Sequence, residues 1–191
     1  YIDDVVIPNN KDYSDKLVGQ LKGEKSAQLD FPLKGHETGE QFKKVLENLG
    51  KSFVQKPYNR MSSVECFECW TVHSYEGDYN PMHDHGVRTQ SGLSCILYLK
   101  VPDSIKNKPE VEVPNLNHAS GVIDGWTQFQ WGANTMKDIY QLREQTQHVV
   151  RPVEGKLLMF PCWLNHMVWP FKGEGERRTL SANFNIHDSP E

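Results

Sequence analysis

Cysteine is scarce in this sequence: Cys66, Cys69, Cys95 and Cys162 are the only four among 191 residues. That is too few for a disulfide scaffold at this length, and it predicts reduced thiols and a cytoplasmic location, in the producing or a host cell. A basic excess is also missing. Lys and Arg total 21 against 25 Asp and Glu, a net charge of −4 without long like-charge blocks. A nucleic-acid partner is therefore not expected, since its groove would need a basic face. Long hydrophobic runs are absent as well. The longest stretch free of Asp, Glu, Lys and Arg is Leu157–Phe171, interrupted by Pro161, Asn165, His166 and Pro170. A membrane helix needs ~20 apolar residues, so no membrane partner is expected. The opening YIDDVVIPNN has neither the basic start nor the apolar centre of a secretory signal.

What is present divides the chain in two. Residues 1–62 read as a helical preface belonging to the same domain as residues 63–191. Tyr13–Lys25 is one helical candidate, with Leu17 and Leu21 on one side and Asp12 or Ser14 as N-cap. Glu37–Leu49 is the other: Phe42, Val45, Leu46 and Leu49 recur at helical spacing, and Gly50 supplies a stop. From Ser63 the texture changes to short runs rich in Val, Ile, Phe, Trp and Thr between Gly and Pro. These predict strands near 64–75, 92–101, 120–131, 147–152, 156–160, 164–169 and 177–186. The fold class is mainly β, a sandwich or jelly roll with helices packed on one sheet. Residues 102–147 form the irregular part, equally readable as an ordinary insertion or as a lid over a site. The CFEC motif at 66–69 invites a metal or redox reading. On a strand, however, residues three apart face opposite ways, which favours structural cysteines.

Two histidine segments carry the chemistry. GDYNPMHDHG places His83 and His85 two apart at a strand entry, so both imidazoles share a face while Asp84 turns away. That spacing suits a metal, and it equally suits two surface histidines. In the second segment His166 sits between Leu164 and Val168, surroundings in which a hydrogen-bonded core histidine is the usual explanation. Downstream, Arg177 and Arg178 are adjacent, so on a strand only one can point inward. Arg177 shares its face with Thr179, Ser181 and Asn183, and Arg178 shares one with Leu180. An inward Arg177 beside the Thr179 hydroxyl suits a carboxylate ligand, with Leu180 outward against helices; a solvated basic turn would also fit GEGERR. Trp70, Trp126, Trp131, Trp163 and Trp169 read as packing, Asn80 as a turn residue before His83. His73, His118, His148 and His187 follow no pattern.

The ordered set of these residues resembles the iron(II)- and 2-oxoglutarate-dependent oxygenase superfamily, in particular a branch common in marine bacteria and their phages. The resemblance rests on Trp70, Tyr75, Gly77, Asn80, His83, His85, Ser91-Gly92, Tyr98-Leu99 and Pro102. It continues through Gly155, Phe160-Pro161, Leu164, His166, Val168, Pro170 and Arg177, spanning about residues 64–186. It implies a double-stranded β-helix in which His83, His85 and His166 bind Fe(II) and Arg177, Thr179 and Tyr98 hold 2-oxoglutarate. Tyr75 is a further candidate for the co-substrate pocket. In the superfamily a carboxylate usually stands two residues after the first histidine; here His85 does. The implied reaction is that of a dioxygenase: one atom of O2 converts 2-oxoglutarate to succinate and CO2, and the other enters a substrate C–H bond. The alternatives are a three-histidine iron dioxygenase that uses no 2-oxoglutarate and a non-catalytic jelly-roll binding module. The expected partners are O2, 2-oxoglutarate and an unnamed substrate, with a homodimer also compatible.

Overall fold

The computed structural model describes residues 1–58, 62–86, 91–108, 122–132, 142 and 144–188. The chain opens on a π-helical turn, Ile2–Val6, continuous with α1 (Ile7–Asn9), and closes it at Asn10 in the left-handed region (φ 44°). A 3-10 turn at Ser14–Lys16 follows, then β1 (Ala27–Asp30), α2 (Glu37–Tyr58), β2 (Ser62–Ser74) and β3 (Asn80–His83). Next come β4 (Gly92–Lys100), α3 (Asp103–Lys106), β5 (Thr127–Gln130) and β6 (Gln147–Val150). The chain ends with β7 (Leu157–Pro161), β8 (Asn165–Val168) and β9 (Arg177–Asp188).

All strand pairings are antiparallel. They build a five-stranded sheet, β1-β2-β9-β4-β7, and a four-stranded sheet, β3-β8-β5-β6. Ile96, Tyr98, Phe129, Val149 and Phe160 pack between the sheets. On the outer face of the larger sheet, Leu93, Leu180 and Phe184 meet Leu46 and Val54 of α2 and Val6 of the opening turn. Such a two-sided strand, apolar outside and mixed inside, needs a helix cover because its outer residues would otherwise face water. Mainly β architecture with helices on one sheet is therefore what this chain adopts.

Three expectations need correction. Tyr13–Lys25 is no helix beyond its 3-10 turn. Asp12 accepts hydrogen bonds from the Ser14 backbone N–H and hydroxyl, Gly19 and Gly23 weaken helix formation, and Gln20 pairs with Tyr79 in an isolated bridge. The segment becomes a strap on the inner side of the sheet, where Leu17 and Leu21 pack with Tyr13, Trp70 and Val72. The α2 helix does not stop at Gly50 but runs on to Tyr58. A Cβ at Gly50 would come within 2.8 Å of Val64 Cγ1, so the glycine lets helix and β2 approach closely. The β5 strand is confined to Thr127–Gln130, because residues 122–125 form a turn with Gly125 at φ 72°. Much of the 102–147 segment, including residues 109–121 and 133–141 and with them His118, lies outside the described residues.

The short strands β1 and β3 gave little signal in the sequence. Each lies at a sheet edge, where few residues suffice and Pro81 is tolerated in β3. Among the described residues, no helix is long and apolar enough to cross a membrane.

Candidate metal and co-substrate site

The structure brings His83, His85 and His166 together. His83 ends β3 and faces His166 of β8 as a cross-strand partner. His85 lies two residues past the strand, held by its backbone N–H donating to Cys162 O at 2.8 Å. The ring centroids are 4.3 Å apart for His83–His166, 5.0 Å for His85–His166 and 5.3 Å for His83–His85. One ligand nitrogen from each lies within 4.8 Å of the others.

Hydrogen bonding defines which nitrogen each ring offers. His83 Nδ1 lies 2.7 Å from Pro81 O, and His166 Nδ1 3.0 Å from Leu164 O. A carbonyl oxygen only accepts, so both Nδ1 atoms carry the proton and both Nε2 atoms keep a lone pair. His85 Nδ1 is 2.6 Å from Asn183 Oδ1, with the same consequence. Burial lowers the His166 pKa to about 3, helped by the neighbouring His83 and His85, and burial lowers that of His83 as well. Three imidazoles, each braced at Nδ1 from behind, form the donor set a divalent transition metal takes. Asp84 stays outside it: exposed, its carboxylate accepts from the Gly86 N–H at 2.8 Å. Among the described residues the cluster contains no carboxylate.

The same cleft, about 130 Å³ in volume, extends from the histidines to Arg177 and Thr179. Arg177 is 1% exposed. Its Nε donates to Gly125 O at 3.0 Å, its carbon Cζ lies 5.4 Å from the Tyr98 ring centre, and one terminal nitrogen is buried without a hydrogen-bond partner. Burial pulls its pKa down. No carboxylate forms an ion pair with it among the described residues, and a buried guanidinium without one is costly. Thr179 is buried beside it, two residues along the same face of β9. Tyr98 does not line the cleft. It lies fully buried against the guanidinium, its hydroxyl 2.7 Å from Thr127 Oγ1, and burial raises its pKa.

Arg178 goes the other way. It grips the buried Glu176 through two nitrogens at 2.8 and 3.0 Å and reaches Asp3 at 2.7 Å. Tyr75 borders the hollow on that side, with His73, Glu176 and Arg178, rather than the cleft. His73, without a pattern in the sequence, is buried between Glu176 at 2.8 Å and Thr71 at 2.9 Å. Trp70, Trp126 and Trp169 pack as expected, but Trp131 and Trp163 are 47% and 60% exposed. Cys66 and Cys69 both face the core under α2, because a bulge between Cys66 and Glu68 turns the strand between them. Burial pushes the Cys66 thiol up to about 12 and Cys69 well up, as inert structural thiols require.

Sequence reasoning missed Gln28, Asn183 as a partner of His85, and Glu68 behind it. Gln28 is 2% exposed, lines the cleft and keeps its Oε1 unpaired. Only for Asn183 was a signal available, its place on the Arg177 face.

Residues 68–183, more than half of the chain, match the family model described as "Putative 2OG-Fe(II) oxygenase". No curated protein sequence matches. Among solved structures, a prolyl-4-hydroxylase from Pseudomonas putida aligns with 15% identity and a TM-score of 0.50 over 90% of this chain and 79% of its own. A prolyl hydroxylase from Trichoplax adhaerens, in complex with a hypoxia inducible factor peptide, aligns with 16% identity and a TM-score of 0.52 over 94% and 70%. HygX from Streptomyces hygroscopicus, solved with nickel and 2-oxoglutarate bound, gives 12% identity and a TM-score of 0.53 over 90% and 74%. At these identities the structures establish shared fold, and the family match carries the assignment. The chain belongs to the 2-oxoglutarate- and iron(II)-dependent oxygenases, a family of oxidoreductases that use both as cofactor and co-substrate.

Proposed function

We propose that His83, His85 and His166 hold the iron, that Arg177 with Thr179 holds the distal carboxylate of 2-oxoglutarate, and that the enzyme hydroxylates a C–H bond. The single observation that carries this reading is the buried Arg177, short of a partner, in the same cleft as the three histidines. An isolated guanidinium inside a barrel is costly unless an anion joins it, and a carboxylate matches its fork. When bound, the iron supplies oxidation of 2-oxoglutarate to succinate and CO2 coupled to insertion of oxygen into the substrate.

The chain's own groups do the rest. His83 and His166 stay neutral because they are buried, so protons compete little for their Nε2 atoms. Tyr98 and Gly125 keep the Arg177 side chain aimed along the cleft rather than folded onto the protein. Trp70, Val72, Ile96 and Phe160 exclude water around the reacting space. Lys16, Leu17 and Val18 of the strap line the cleft, and Gln28 Oε1 waits there for a donor. A substrate with an aliphatic surface and a hydrogen-bond donor fits that wall. Four free, buried cysteines support a reducing cytoplasm as the place of action.

The test is succinate formation from 2-oxoglutarate under air, with and without added Fe(II). Succinate should require Fe(II) and should disappear in His166→Ala and in Arg177→Ala. The all-imidazole ligand set favours one second reading, an iron dioxygenase that uses no 2-oxoglutarate. Tight iron uptake with no succinate and no effect of Arg177→Ala would favour it.

A further inference from the structure

We propose that Glu68 is a positioning residue that sets the tautomer of His85 through Asn183. The inference rests on the three-histidine metal site proposed above. His83 and His166 are oriented by the backbone carbonyls of Pro81 and Leu164, which cannot change from acceptor to donor. His85 differs, because its Nδ1 meets a side-chain amide, Asn183 Oδ1, at 2.6 Å. An amide has nearly the same shape after a half turn, so sterics alone do not choose which end faces the ring.

Glu68 makes that choice. Asn183 Nδ2 donates to Glu68 Oε1 at 2.6 Å, and the Ser94 hydroxyl donates to Asn183 Oδ1 at 2.7 Å. A carboxylate oxygen accepts, so the NH2 end must face Glu68 and the carbonyl end must face His85. His85 Nδ1 then carries the proton and Nε2 keeps the lone pair that a metal needs. Were the amide reversed, its NH2 would donate to Nδ1, the proton would move to Nε2, and the metal-facing atom would be blocked. Tyr13 also donates to the Glu68 carboxylate and stacks on Trp70 at 5.7 Å, which fixes the carboxylate's place.

The backbone is shaped for this arrangement. On a regular strand Cys66 and Glu68 would share a face, and Cys66 lies in the apolar core under α2. The β2 bulge breaks that rule: Cys66 pairs with Phe184 and Glu68 with the adjacent Asn183. The bulge carries the carboxylate across to the inner face. A carboxylate missing from the ligand set thus stands two hydrogen bonds behind one of the ligands.

The test reads tautomer and metal affinity separately. Long-range 1H–15N spectra of the metal-free protein should show His85 with its proton on Nδ1. Glu68→Ala should mix the two tautomers at His85 alone and weaken Co(II) binding by about 10- to 100-fold. Asn183→Asp alone sets two carboxylates against each other. Combined with Glu68→Gln, the new carboxylate accepts from His85 and the new amide donates to it. That pair should restore the Nδ1–H tautomer and most of the Co(II) affinity. An unchanged tautomer and affinity in Glu68→Ala would overturn the proposal. If Glu68→Ala fails to fold, the double variant decides: no recovery over Asn183→Asp alone also overturns it. A wild-type chain that takes up no Co(II) would remove the metal site instead, while its His85 tautomer still reports on Glu68.

Discussion

Arg177 and Arg178 are neighbours in sequence and belong to different halves of the molecule. Arg177 points to the inner face of β9, is almost fully buried and keeps a terminal nitrogen unpaired. Arg178 points to the opposite side and is held by Glu176 and Asp3. The same contrast runs along the strand. Thr179, Ser181 and Asn183 look into the cleft, while Leu180, Ala182 and Phe184 pack under α2. One face keeps buried polar atoms without partners, and the other is closed by ion pairs and apolar packing. Polar groups left short of partners cost stability and mark a site, whereas satisfied groups and apolar packing supply the stability that offsets them.

The sharpest way to break this comparison is to remove each arginine in turn. Arg177→Met should weaken 2-oxoglutarate binding on the order of 100- to 1,000-fold, since one partner of a buried charge pair is lost. The same variant, without co-substrate, should be more stable than wild type by about 1 kcal/mol, because a buried unpaired charge has gone. Calorimetric titration and thermal unfolding read the two effects. A destabilised Arg177→Met that still binds 2-oxoglutarate would sink the contrast between the faces.

The outer face answers with stability alone. Leu180→Ala should cost about 2–5 kcal/mol in denaturant unfolding, as a core truncation does, with Co(II) affinity unchanged. Arg178→Met should cost less, about 1–3 kcal/mol, because Glu176 retains His73 and Lys100 as partners. Its 2-oxoglutarate affinity should match wild type; a large loss there would shift the register of β9 by one residue.

The last effect is in pH. Burial alone would raise the Glu176 pKa, but hydrogen bonds from His73, Arg178 and Lys100 hold it below the ordinary 4.5. A carboxylate depressed in the fold contributes stability that is present above the unfolded value and lost as pH falls through the folded one. Between those values the unfolded chain binds one more proton, so stability should fall by about 1.4 kcal/mol per pH unit below roughly pH 4.5. Glu176→Gln should flatten that part of the acid unfolding curve. An unaltered slope would mean another carboxylate is responsible.

Much of this contrast was legible before the fold was known. Period-two alternation in RRTLSANF separates Arg177 from Leu180 without any tertiary information. The spacing of His83 and His85 placed two imidazoles together, and the strand texture after Ser63 outlined seven of the nine strands found among the described residues. The strap was not legible, because Leu17 and Leu21 suit a helix as well as an extended segment. What decides there is Asp12 bonding to Ser14 and Gln20 pairing with Tyr79. Gly50 reads as a stop from propensity alone, yet close approach of β2 explains a glycine inside a helix.

By itself, then, the sequence determined which side chains share a strand face, since backbone geometry makes alternation local. It also determined the mainly β class, through the residues that favour strands, and the kind of chemistry, through the ordered histidines and arginines. Only the tertiary structure decided which faces meet. It set His166 across from His83, left Arg177 short of a partner, and used a bulge to bring Glu68 behind Asn183 and His85. Those outcomes depend on strand pairing between residues far apart in the chain and on a one-residue shift in register. Neither leaves a periodic trace in the sequence, because each is the result of packing rather than of local preference.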